Sequence, residues 1–255
     1  MAGAETDPGA AGLEIEDQDD VRVLRINRPR RRNALSPALI TALRVEVERL
    51  ERDGDVRAVV ITGDDTAFSS GADLKEEEPP LYTEEINAAF TRLEALAKPT
   101  IAAISGWCIA GGLELAMACD LRVATRDSQI GDWHVKINSI GGAGATVRLV
   151  RLIGLPAAKD LVFTGRAVGG DEALRLGLVD RVCGPGEQLD AALQLAREIA
   201  AHNPVTVAHA KRSLNAVADL GLHAALEHSL ALQREVRARL GEDDFGRAVF
   251  MARER

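Results

Sequence analysis

At 255 residues the chain is long enough to bury one large α/β core with a smaller helical appendage. Its 39 acidic residues outnumber 31 basic ones for a net charge of −8, which argues against a nucleic-acid surface, where clustered Lys and Arg must displace counterions. Cys108, Cys119 and Cys183 are odd in number and lack C-x-x-C or Cys/His spacing, so no metal site is expected and a reducing cytoplasm fits.

Residues 1–12 have neither the basic nor the apolar stretch of a signal peptide and read as a flexible tail. The alternation in Val21–Ile26 predicts a strand, closed by the turn-forming Asn27-Arg28-Pro29, and the short basic run Arg28 to Arg32 reads on its own as a solvated turn. Ser36-Pro37 supplies an N-cap and a first-turn proline for a helix through Arg52, with Leu39, Leu43, Val47 and Leu50 at helical spacing. Ala58–Thr62 is a continuous apolar run ended by Gly63, as in a strand buried on both faces. A loop with Ser69-Ser70-Gly71 and the acidic run Glu76 to Glu78 follows, then a helical pattern from Glu84 to Leu96 that Lys98-Pro99 breaks.

The apolar stretch Ile101–Ala118 is long enough to raise the question of a membrane span. Glu114 inside it, and strand-like and helix-like halves meeting at Gly111-Gly112, predict instead a buried strand (Thr100–Ile104), a turn and a helix (Gly112–Ala118). A strand at Leu121–Ala124 comes next. Strands alternating with helices indicate a mainly parallel sheet. Gly141 to Thr146 lacks G-x-G-x-x-G spacing and reads as a helix start near the site rather than a dinucleotide loop. Beyond about residue 186 only helices are predicted, over 188–201, 205–219 and 221–240, the last with Leu222, Leu226 and Leu230 every fourth residue.

Two segments carry the chemistry. Ala67 to Lys75 leaves a buried strand through Gly71, and Ser105 to Leu115 leaves another through Gly111-Gly112 into a helix whose free N–H groups suit developing negative charge. Together with Ile26 to Pro29, Asn33-Ala34-Leu35, Phe163 to Arg166, Glu172-Ala173 and Gly177-Leu178-Val179, in this order, they make the chain resemble the crotonase (enoyl-CoA hydratase/isomerase) superfamily over nearly its whole length.

The resemblance implies a repeated ββα core with mainly parallel sheets over 13–185 and a C-terminal helical trimerisation region over 186–255. It implies an acyl-CoA enzyme, foremost an enoyl-CoA hydratase of fatty-acid metabolism, with CoA as part of the substrate and no separate cofactor. An isomerase, a hydrolase, or a catalytically weak acyl-CoA-binding subunit of the same superfamily stay open. A homotrimer or a dimer of trimers is implied, with neither nucleic acid nor membrane as partner.

By the same resemblance, the N–H groups of Ala72 and Gly111 hold the thioester oxygen, and Glu114 is the first of two catalytic glutamates. The second falls on His134, which either serves as acid/base partner of Glu114 or fills the pocket and hydrogen-bonds Asp132. Trp133, where hydratases often carry proline, implies a reshaped acyl pocket. Arg30, Ala72, Asp73, Leu74, Lys75 and Gly111 are the implied CoA contacts, and Asp243 to Phe250 resembles the family's end motif with Phe where Glu is usual.

Overall fold

A computed structural model describes residues 7–76, 82–217, 219–242, 244–246 and 249–250. After β1 (Leu13–Gln18) and β2 (Val21–Ile26), α1 (Pro37–Arg52) begins where Ser36 Oγ accepts the Leu39 N–H at 3.2 Å, the expected cap. Three ββα units follow. The first is β3 (Ala58–Thr62), β4 (Ala67–Ser69) and α2 (Tyr82–Ala95). The second is β5 (Thr100–Ile104), β6 (Trp107–Ile109) and α3 (Gly111–Ala118). The third is β7 (Leu121–Thr125), β8 (Gln129–Gly131) and α4 (Ala145–Thr164), which breaks at Gly154. The chain continues through α5 (Gly170–Leu176), β9 (Arg181–Cys183), α6 (Gln188–Ala200), α7 (Pro204–Val217) and α8 (Leu222–Leu240).

The first strand of each unit enters a six-stranded sheet of order β1-β2-β3-β5-β7-β9, in which only β1 and β2 pair antiparallel. The second strands form a parallel sheet β4-β6-β8. The expected ββα repeat with mainly parallel sheets is thus the observed architecture, and Ile101–Ala118 is divided among β5, β6 and α3. No described helix is long and apolar enough to cross a membrane.

β3 and β5 are buried at every position because both faces of the large sheet are covered. Val59, Ile61, Ala102 and Ile104 pack under α1, α2 and α3. The alternate residues Ala58, Val60, Ile101 and Ala103 pack under Ala192, Leu193, Leu195 and Ala196 of α6. The boundary expected at residue 186 would therefore separate α6 from the sheet it covers; α7 and α8 pack on each other, and α7 is tied to the core where Lys211 Nζ reaches Asp120 at 2.7 Å. Of the tail expected over 1–12, residues 7–12 are wound into turns in which Leu13 N–H reaches Pro8 O at 2.9 Å and Ala11 is buried, while residues 1–6 lie outside the described ones. Glu77 and Glu78 of the acidic run and residues 243, 247 and 248 of the end motif also lie outside them.

Candidate active site

The loop after β4 meets the start of α3. Asn33, fully buried, donates to Ala67 O at 2.7 Å and so fixes the segment that leads to Leu35. Leu35 then bridges the loop: its N–H reaches Gly71 O at 2.8 Å and its carbonyl accepts from Asp73 N–H at 2.9 Å. In a parallel bridge this leaves the intervening Ala72 N–H outside the ladder. Gly71 has φ 89°, and a Cβ there would come within 2.9 Å of Gly111 N.

Gly111 opens α3, so its N–H has no intrahelical partner. The turn into it is strained: Ala110 has φ 50° and ψ −123° although it is not glycine. A Cβ built on Gly111 would lie 3.3 Å from Gly71 Cα and 3.4 Å from Ala72 N, so the two peptides are neighbours. Neither N–H has an acceptor among the described residues. Two adjacent backbone donors at a helix N-terminus are what a developing oxyanion requires.

Glu114 lies in the first turn of α3 and is 3% exposed. Its Oε1 accepts the Ala145 N–H, at the start of α4, at 2.9 Å. Burial pushes its carboxyl above the ordinary range, and the Ala145 N–H and His134 offset this only in part. Its Oε2 lies 3.9 Å from His134 Nε2, so the structure brings together the glutamate and histidine that the sequence singled out.

His134 begins a 3₁₀ turn, His134–Ile137, three residues past the end of β8. Its Nδ1 is hydrogen-bonded to Asp132 Oδ1, which also accepts the His134 N–H at 3.3 Å. Burial opposes the imidazolium, but the bond to Asp132 and the charges of Asp132 and Glu114 outweigh it and hold His134 above the usual histidine range. Asp132 is 1% exposed. Trp133 stands edge-on to Trp107, ring centroids 5.1 Å apart, with Lys136 Nζ 3.7 Å above its ring.

On the other side of Ala72, a cleft of about 530 Å³ is lined by Arg30, Arg31, Arg32, Ser70, Ala72 and Lys75, among others. Arg30, Leu74 and Lys75 are exposed there. Asp73 also lines the cleft, and its buried carboxylate pairs with Arg28 at 2.9 Å and accepts the Lys75 N–H at 3.2 Å, which folds the loop. Clefts under α7, lined by His209 and Arg239, contain none of the singled-out residues. Cys119 is buried, which pushes its thiol up to about 12, and burial pushes Cys108 further, so neither is a thiolate nucleophile.

Sequence reasoning missed the parts that hold these side chains: the Ala145 N–H on Glu114, and Gly141, where a Cβ would come within 2.7 Å of Glu114 Oε1 and 3.1 Å of His134 Cε1. The Gly141 to Thr146 run was the available signal. It is a helix start near the site, as read, and its small residues leave room for Glu114.

A parallel ββα scaffold presenting two paired peptide donors beside a buried carboxylate is the framework of an enzyme that stabilises an oxyanion. The family described as enoyl-CoA hydratase/isomerase matches residues 16–251. The chain is 36% identical over 228 residues to the short-chain-enoyl-CoA hydratase of Clostridium acetobutylicum, covering 87% of this chain and 86% of that protein. It is 41% identical over 215 residues to a putative enoyl-CoA hydratase of Thermus thermophilus, covering 81% and 85%. The crystal structure of an enoyl-CoA hydratase from Bacillus anthracis superposes with a TM-score of 0.90 at 31% identity, over 96% of this chain and 97% of that one. The chain therefore belongs to the enoyl-CoA hydratase/isomerase family.

Proposed function

We propose that the chain hydrates enoyl-CoA thioesters. The observation that carries this reading is that Glu114, on the helix whose first N–H lies beside that of Ala72, brings its Oε2 to 3.9 Å from His134 Nε2. The thioester oxygen accepts from Ala72 and Gly111, which lowers the energy of the enolate formed when water adds at Cβ; each donor contributes about 3 kcal/mol by analogy with other oxyanion holes. Glu114 handles the proton of water and His134 is its acid/base partner. CoA enters as part of the substrate, with Arg30 near its phosphates and the main chain of 72–75 along its arm.

Assembly as a homotrimer, or a dimer of trimers, belongs to the same reading. Its support is the stripe Leu222, Leu226 and Leu230 on α8, which is 79%, 56% and 55% exposed in the single chain. Light scattering is expected to give a trimer or hexamer, and a monomer at micromolar concentration ends that part. A cytoplasmic location fits the three free cysteines.

The test is incubation with crotonyl-CoA and with longer and branched enoyl-CoA esters, followed by mass spectrometry. The expected product has gained one water, and Glu114→Gln slows its formation about a thousandfold. Double-bond migration without mass change would replace hydration with isomerisation, release of free CoA would replace it with hydrolysis, and binding without turnover would leave an acyl-CoA-binding subunit.

A further inference from the structure

We infer that Asp132 is the positioning residue of this site: its buried carboxylate fixes the His134 ring with Nδ1 toward Asp132 and Nε2 toward Glu114, so that His134 works as the imidazolium acid opposite Glu114. The inference rests on the hydratase reading for its chemistry and on the geometry alone for its first half.

Asp132 is 1% exposed, and Oδ1 serves both the ring and the N–H of His134. Its Oδ2 has no hydrogen-bond partner among the described residues. A carboxylate buried in such surroundings is stabilised by a paired cation. No described Lys or Arg forms an ion pair with it; His134 does. The other charged groups near the ring are accounted for. Glu114 faces it from α3, Lys136 lies over Trp133, and Arg148 of α4 is bonded to Glu94 and Ala143 O. Asp132 therefore gives the imidazole one orientation and, when neutral, one tautomer, with the proton on Nδ1 and Nε2 free.

The proton ledger then closes without an outside reagent. Glu114 takes a proton from water as the O–Cβ bond forms, and the C=C electron pair moves into the enolate held by Ala72 and Gly111. The Cα–H bond forms with the Nε2 proton of His134, leaving the neutral ring. The proton on Glu114 Oε2 then passes to Nε2, 3.9 Å away, a gap longer than a hydrogen bond that one water can relay across.

The test is ¹⁵N NMR of histidine-labelled full-length protein, with the His134 signal assigned by its loss in His134→Ala. In the unsubstituted chain His134 is expected to titrate above the ordinary histidine range, with Nδ1 protonated in the neutral ring; Asp132→Asn should lower that titration. In crotonyl-CoA hydration, kcat/KM is expected to fall as pH rises through the His134 titration. Asp132→Asn should move that limb to lower pH and reduce kcat, more than it changes KM, by about a hundredfold at pH 8. In a His134→Ala background the same substitution should cost nothing more. An ordinary His134 titration in the unsubstituted chain overturns the proposal, as does a further loss on Asp132→Asn when His134 is absent. Failure to hydrate any enoyl ester counts against the hydratase reading, while the NMR titration still decides whether Asp132 governs His134.

Discussion

The two halves of the site are made of different material. The Ala72 and Gly111 N–H groups are set chiefly by main chain: a Leu35 bridge, Gly71 at positive φ and the strained turn at Ala110. Around Glu114 the reacting groups are side chains, drawn from two segments, Glu114 on α3 and Asp132 and His134 after β8, with the Ala145 N–H and the small residues before α4 holding the carboxylate. The first half depends on backbone shape, which few substitutions can reproduce. The second depends on a few side-chain contacts, each removable alone.

Substitutions that touch one half and spare the other test this division. The largest effect is expected for Gly111→Val, whose branched side chain enters the space 3.3 Å from Gly71 Cα and 3.4 Å from Ala72 N. Steady-state hydration of crotonyl-CoA should fall about a hundredfold to a thousandfold in kcat. Retention of full activity would mean that the paired donors do not hold the thioester. A smaller loss, about tenfold in kcat, is expected for Gly141→Ala, because its methyl would meet Ala145 Cβ at 2.3 Å and Glu114 Oε1 at 2.7 Å and shift the carboxylate. Calorimetric binding of a saturated acyl-CoA should be unchanged, since the donor half is untouched; weakened binding would join the two halves. The smallest effect is expected for Arg30→Ala, an exposed cation at the cleft rim. KM should rise about twofold to fivefold at low salt, with little change at high salt and none in kcat.

The sequence made the donor half legible and the side-chain half only partly so. β2, β3, β5 and β7 follow from alternation or apolar runs, and α1 from its Ser36 cap, because each signal is local. β4, β6 and β8 have three residues each, too few to show a period, and β1 turns only Leu13 inward as a fully buried residue. Glycines at Gly71 and Gly111 point to close backbone approach before the fold is known. That Asp132 and His134 meet does not follow from their spacing, since residues two apart face one another only once the 3₁₀ turn is formed. Nor does local spacing reveal that the Asp73 carboxylate pairs with Arg28, forty-five positions earlier. Likewise α6 and α8 both show apolar stripes, yet α6 buries its own against the sheet while α8 leaves three leucines in solvent. Periodicity tells which face is apolar, not what covers it.

The Ala110 turn has a consequence for how such a chain can change over generations. A non-glycine residue at φ 50° costs on the order of 1–3 kcal/mol, offset here by the Ala110 N–H bond to Gly131 O at 3.1 Å and by the buried packing of α3. The aim of the Gly111 donor is thereby inherited with the fold and not with any one side chain. Replacement of residues at 114, 132, 133 or 134 can redirect the chemistry while the hold on the carbonyl persists, so new reactions on this scaffold arise through short mutational steps from a protein that still binds its substrate.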